Sequence, residues 1–107
     1  IPSVIKIDVE GYEQAVIAGG EKTLTDERLK AVIMETNGSG FRYGWDDARL
    51  VETMRNYGFS TCTYEPFDRR LEGAPAGTGN TIFVRDMALI QGHLAEAPKF
   101  QLVNGEI

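Results

Sequence analysis

The chain has 107 residues, 25% of them charged, with a formal net charge of -5 at pH 7. This length predicts one compact domain over residues 1–107, and the acidic balance disfavours nucleic acid as a partner. No apolar run approaches the roughly 20 residues that span a bilayer, and a single cysteine and a single histidine exclude an internal disulfide and a Cys/His zinc site. We therefore expect a cytoplasmic protein that does not contact the membrane.

The first strand and helix signals lie near the start of the chain. Residues 4–9 are β-branched at four of six positions and precede Gly11, which predicts a buried strand that ends in a tight turn. Residues 12–18 predict a short helix, which the Gly19-Gly20 pair should end in a left-handed conformation. The residues expected on its buried face are Tyr12, Ala15 and Val16.

A second strand and helix follow. Residues 31–34 are all apolar and lead into turn-forming residues, so they predict a second buried strand. Asp46 or Asp47 can cap a helix that continues to Tyr57, with Gly58 placed to end it. The apolar stripe of this helix consists of Leu50, Val51 and Met54.

The last part of the chain changes pattern. Residues 59–64 and 81–84 predict two strands that pair antiparallel across a loop rich in glycine and proline, with residues 73–79 as a hairpin loop and not a phosphate loop. Residues 87–94 predict a helix, and the tail of residues 87–107 is otherwise left without assigned structure. This order predicts an α/β fold, in which parallel strands are followed by an antiparallel terminal hairpin.

Residues 4–13 resemble a known family pattern. They read V-I-K-I-D-V-E-G-Y-E, which resembles the FkbM methyltransferases, where a strand reading I-K-I-D-V-E-G turns directly into a helix that begins with Glu. Residues 19–20, 32–35 and 56–59 extend the likeness, which covers residues 3–86. The resemblance implies the C-terminal half of a class I, Rossmann-like methyltransferase sheet. It also implies S-adenosylmethionine as cofactor and a hydroxyl of a sugar or natural product as methyl acceptor.

Charged residues cluster where the first two strands end. Strand alternation places Lys6, Asp8 and Glu10 on one side, and Glu35 ends the second strand at the same edge, where open α/β sheets bind ligands. We predict catalytic roles for Asp8, Glu10 and Glu35, with Asp8 also near the cofactor and Lys6 near the substrate. The carboxylates have the chemistry for base catalysis or for a divalent ion. The alternative is structural: Lys6 neutralises a carboxylate and Glu10 accepts from amides at the helix start.

Aromatic residues in the loop of residues 37–45 are candidates for binding the acceptor. Tyr43 and Trp45 follow the second strand and should lie over the same crevice, where their faces can pack on a sugar ring. Trp45 packing ahead of the next helix is an equally good interpretation. Cys62 and His93 have no companions that predict catalysis.

The cofactor-binding half of such an enzyme is expected outside this chain. No G-x-G turn precedes Lys6, and the chain begins with Ile1 directly before an apolar strand, so we expect a piece cut from mid-fold and inactive alone. Its exposed residues 4–9 should make it self-associate, unless the tail after Asp86 covers them. A non-catalytic α/β interaction module is the competing hypothesis.

Overall fold

The computed structural model describes residues 1–36, 46–76, 79–99, 101–103 and 105–106. The order of elements along these residues follows the predicted alternation, with some additions. The elements are β1 (Val4–Ile7), α1 (Glu13–Gly19), α2 (Glu21–Leu24), β2 (Ala31–Glu35), α3 (Asp47–Asn56), β3 (Ser60–Glu65), β4 (Arg70–Gly73), β5 (Asn80–Val84), α4 (Met87–Glu96), β6 (Gln101–Leu102) and β7 (Gly105–Glu106).

Five strands form one mixed sheet in the order β1-β2-β5-β3-β4. β1 runs parallel to β2, with Ile5 opposite Val32. β5 lies antiparallel to both β2 and β3, which confirms the predicted pairing of the two late strands. Residues 70–73 were expected to lie in an irregular loop, but they form β4 and pair antiparallel with β3. The chain is therefore a mixed α/β structure with a five-stranded sheet.

The core lies between this sheet and the helices. The predicted apolar stripe of α3 is buried, and Asp46 caps the helix by accepting a hydrogen bond from the Ala48 amide at 2.8 Å. Each fully buried large side chain contributes about 1.5–3 kcal/mol to folding. The largest of them are Phe83, Ile17, Leu29, Met34, Met54, Val32 and Val84.

The predictions for α1 are partly wrong. Gly20 has φ −100°, so it does not end the helix in a left-handed conformation, and the chain turns directly into α2. The face with Tyr12 and Val16 is exposed, whereas Ile17 and Glu13 are buried. The face of α1 that turns inward is therefore the one with Glu13 and Ile17, and not the predicted one.

The helix α4 docks on β4, at the far edge of the sheet from β1. Gln91 of α4 accepts from the Leu71 amide at 2.7 Å and donates to the Arg69 carbonyl at 2.6 Å. Helix α4 thus packs at β4 and does not cover residues 4–9, where the tail after Asp86 was a possible cover. None of the described helices is long and apolar enough to cross a membrane.

Candidate functional site: a carboxylate cluster at the ends of two parallel strands

A tight turn carries the chain from β1 into α1. The Tyr12 amide donates to the Val9 carbonyl at 3.2 Å, and the two residues between them have positive φ, 51° for Glu10 and 103° for Gly11. Two successive positive φ values are the signature of a type I′ turn. Gly11 adopts this conformation readily, whereas a residue with a Cβ pays about 1–2 kcal/mol for it.

Three carboxylates meet beside this turn. Asp8 follows β1, Glu10 lies in the turn and Glu35 ends β2, and the parallel pairing of the two strands brings these positions to one edge. Carboxylate oxygens of the three side chains lie within 4.8 Å of one another. Asp8 and Glu10 are exposed and Glu35 is partly buried. The predicted juxtaposition is confirmed, while the catalytic roles stay predictions.

The crowding of negative charge acts on Glu35. Burial raises the pKa of its carboxyl above the ordinary value, and the charges of Asp8 and Glu10 raise it further. A hydrogen bond with Asp8 and the charge of Glu13 act in the same direction. A raised pKa favours the protonated form of Glu35, which can donate a hydrogen bond to a neighbouring acceptor.

Glu13, the first residue of α1, is a buried member of the site that the sequence interpretation missed. Its side chain is 4% exposed, and both of its carboxylate oxygens lie 3.1 Å from the Gly11 amide nitrogen, which donates to them. The structural alternative gave the contact with amides at the helix start to Glu10, but the structure gives it to Glu13. The signal in the sequence was a glutamate two residues after the turn glycine.

The backbone just after Glu35 is fixed by threonines. The Thr36 amide donates to the Gly79 carbonyl at 2.8 Å, and the hydroxyls of Thr36 and Thr81 lie 2.6 Å apart. Both threonines are buried. These contacts tie the end of β2 to β5 and hold Glu35 at the sheet edge.

The remaining predicted site residues are not brought into the cluster by any described contact. Lys6 is exposed and makes no ion pair with another described residue, so neutralisation of a carboxylate by Lys6 is not seen. Tyr43 and Trp45 lie outside the described residues. Cys62 is buried, and burial raises the pKa of its thiol, which disfavours the nucleophilic thiolate.

A separate apolar pocket of about 220 Å³ lies between β1 and the two short helices. It is distinct from the carboxylate cluster because its walls are almost entirely apolar. Its lining residues are Ile5, Ile7, Val16, Gly20, Thr23 and Leu24.

These features define an α/β protein with an acidic site beyond the carboxyl ends of two parallel strands, the usual ligand position in open α/β sheets. Residues 1–61 match the family described as the methyltransferase FkbM domain. The match covers more than half of the 107 residues, and the chain belongs to this family. All four acidic residues of the site lie within the matched segment. No curated protein and no solved structure matches the chain significantly.

Proposed function

We propose that the chain is the C-terminal part of an S-adenosylmethionine-dependent methyltransferase that O-methylates a hydroxyl of a sugar or natural product. The observation that carries this proposal is the carboxylate cluster at the carboxyl edge of the sheet, within the segment that matches the FkbM family. The cluster offers a base where an acceptor can bind, and the family supplies the type of reaction.

The chemistry asks little of the protein beyond alignment and proton removal. S-adenosylmethionine supplies an electrophilic methyl group on a sulfonium. As the acceptor oxygen gains the methyl, its proton must leave, and a carboxylate within hydrogen-bond reach can take it. We assign this base role to Asp8, which directly follows β1 and is exposed, because burial and neighbouring charges raise the pKa of Glu35 and favour its protonated form, which cannot take up a proton. Glu10 contributes the third carboxylate of the cluster.

The residues present fit one part of the cofactor. A sulfonium, an ammonium and ribose hydroxyls are all good partners for carboxylates, and Asp8 and Glu10 are exposed enough to meet them. An adenine ring needs apolar walls and a glycine-rich turn, and no such turn precedes β1 in the sequence. We therefore propose that residues outside this chain hold most of the cofactor, and that this chain alone binds it weakly.

The exposed side of β1 supports a larger parent domain. Val4 of β1 is 57% exposed, and Val9, in the turn that follows, is 37% exposed. An apolar pocket also opens between β1 and the two short helices. Surfaces of this kind are usually covered in the working protein. Another part of the parent methyltransferase is the occupant that the family relationship favours.

The test is methyl transfer by the full-length protein that contains this chain, with labelled S-adenosylmethionine and a panel of hydroxyl acceptors. We expect Asp8→Asn to lower kcat by about a hundredfold, a typical contribution of a general base, while the Kd for the cofactor changes little. Glu21→Gln, at the exposed first residue of α2, is the matched control and should leave kcat unchanged. Absence of transfer to every acceptor, with the cofactor bound or unbound, would favour a non-catalytic interaction module.

A second arm of the same assay concerns divalent ions. The spacing of the three carboxylates also suits such an ion, so transfer is measured with magnesium and with a chelator. Equal rates in the two conditions support direct base catalysis by Asp8, whereas loss of activity with the chelator would replace it by metal assistance.

A further inference from the structure

We propose that Glu13 is a positioning residue: it holds the turn after β1 in the conformation that keeps the Glu10 carboxylate beside Asp8 and Glu35. The inference rests on the proposed function in one respect, namely that the cluster acts on a substrate. Its geometric content stands on the structure of the turn.

The contact reaches backwards from the helix into the turn. Both oxygens of Glu13 receive the Gly11 amide at 3.1 Å, and the next residue, Tyr12, closes the turn onto Val9. Tyr12 is also the residue that precedes α1, and its side chain makes no capping hydrogen bond. Glu13 is therefore the side chain that fastens the start of α1 to the turn.

Burial of Glu13 makes this contact strong. The side chain is 4% exposed, and no cation pairs with it among the described residues. Removal of a carboxylate from water is costly, and the Gly11 amide is the donor that the structure provides in return. A hydrogen bond to a buried charged group is worth about 1.5–3 kcal/mol, roughly twice the value of a bond between neutral groups.

The turn needs the hydrogen bond between Gly11 and Glu13 because the backbone of Glu10 is strained in this conformation. At φ 51° Glu10 occupies the left-handed region, which costs a residue with a side chain about 1–2 kcal/mol. The hydrogen bond from the Gly11 amide to the charged Glu13 is worth more than this backbone cost. A hydrogen bond between neutral groups would be worth only about as much as the cost. If the turn relaxed, Glu10 would leave the left-handed conformation and its carboxylate would move away from Glu35.

The experiment compares three substitutions in the full-length methyltransferase. Glu13→Ala should lower kcat by about tenfold to a hundredfold, the range expected when a carboxylate of the site is misplaced by about 1 Å, with KM for the acceptor changed less than threefold. Glu13→Gln keeps one acceptor oxygen and should retain a clearly larger share of kcat than alanine. Glu21→Gln, the first residue of α2, is the matched control and should keep full activity.

The outcomes separate positioning from a purely structural role and from failure of the proposed function. A Glu13→Ala protein that melts earlier but keeps the wild-type kcat per folded molecule overturns the inference. If the wild-type protein transfers no methyl group, the proposed function fails and crystal structures decide instead. Displacement of Glu10 from Glu35 in the alanine variant then supports the positioning role, and an unchanged cluster overturns it.

Discussion

Among the residues that the structure describes, three other than glycine have positive φ: Glu10 at 51°, Arg69 at 52° and Asp86 at 59°. For two of them the side chain stabilises the fold. Arg69 donates to the carbonyl of Leu94 in the last turn of α4 and to those of Ala97 and Pro98 just after it, and Asp86 caps α4 by accepting from the Leu89 amide. The Glu10 side chain makes no hydrogen bond with another described residue. Its strained backbone is therefore best explained by the carboxylate that it places in the cluster.

Glu10 should therefore lower the stability of the fold while it contributes to activity. We expect Glu10→Gly to raise the free energy of unfolding by about 1 kcal/mol, because glycine adopts positive φ without the penalty and one carboxylate of a repelling group is removed. Glu10→Ala removes the same charge but keeps the backbone penalty. The difference between the two variants in urea denaturation therefore isolates the backbone cost.

Activity of the full-length protein should respond in the opposite way to stability. Both Glu10 variants lose the carboxylate, so both should be slower than the wild type although one of them is more stable. Arg69→Gly relaxes a similar φ but removes the contacts to α4, and it should destabilise the protein. A glycine at position 10 that is no more stable than alanine there would contradict the assignment of strain.

At the scale of the elements, β4 depends on a side chain from α4. β4 is the last strand of the sheet, and Gln91 occupies its outer edge by pairing with the Leu71 amide and the Arg69 carbonyl. A primary amide presents one donor and one acceptor side by side, as a neighbouring strand does. The contact both docks α4 and covers backbone groups that would otherwise be free to pair with another chain.

Loss of this contact should destabilise the end of the sheet. We expect Gln91→Ala to lower the free energy of unfolding by about 1–3 kcal/mol, since two partly buried hydrogen bonds are lost at about 0.5–1.5 kcal/mol each. Gln14→Ala is the matched control, because the Gln14 side-chain oxygen is buried with no hydrogen-bond partner among the described residues. Urea denaturation of both variants is the measurement. Equal losses would show that Gln91 acts by packing and not by its hydrogen bonds.

Elements with a strong local pattern were predictable from the sequence, whereas β4 was not. The apolar run of β2 and the stripe of α3 report burial directly, whereas the run of β1 predicts the strand but not its exposure, since Ile7 is its only buried residue. β4 contains one large apolar residue, Leu71, and is held by pairing with β3 and by Gln91, which lies 20 residues away from Leu71. A contact between residues so far apart in the sequence produces no alternation of apolar and polar residues within β4, so the strand could not be recognised from its own residues.

The candidate site was predictable to a similar degree. Asp8, Glu10 and Glu35 follow from the rule that polar residues at the ends of neighbouring parallel strands meet at one edge. Glu13 did not follow, because helical periodicity favours apolar residues on a buried face, and Tyr12 and Val16 fit that rule better. Its burial depends on the positive φ of Glu10 and Gly11, a property of the turn and not of the helix.

At the scale of the whole molecule, the two edges of the sheet differ. The β4 edge is covered by α4, whereas β1 is the other edge strand and has no neighbour on its outer side among the described residues. The Ser3 carbonyl accepts from Lys30 and Ala31, so it points toward β2. Because successive residues of a strand direct their backbone groups to opposite sides, the groups of Val4 and Lys6 point outward.

This bare edge should make the isolated chain self-associate. Unpaired backbone groups beside exposed Val4 recruit another strand, and the net charge of -5 on each copy opposes this, so association should strengthen as salt screens the repulsion. Sedimentation velocity over a range of protein and salt concentrations measures this association.

The variant Lys6→Pro tests whether the edge of β1 is responsible. It removes an outward amide donor while sparing the bonds to β2, and it should shift the chain toward monomer. Lys30→Ala, a change of charge away from the edge strand, is the control and should leave the association constant nearly unchanged. A wild-type chain that stays monomeric at high concentration and high salt would contradict this prediction and would show that a solvated β1 edge is tolerated.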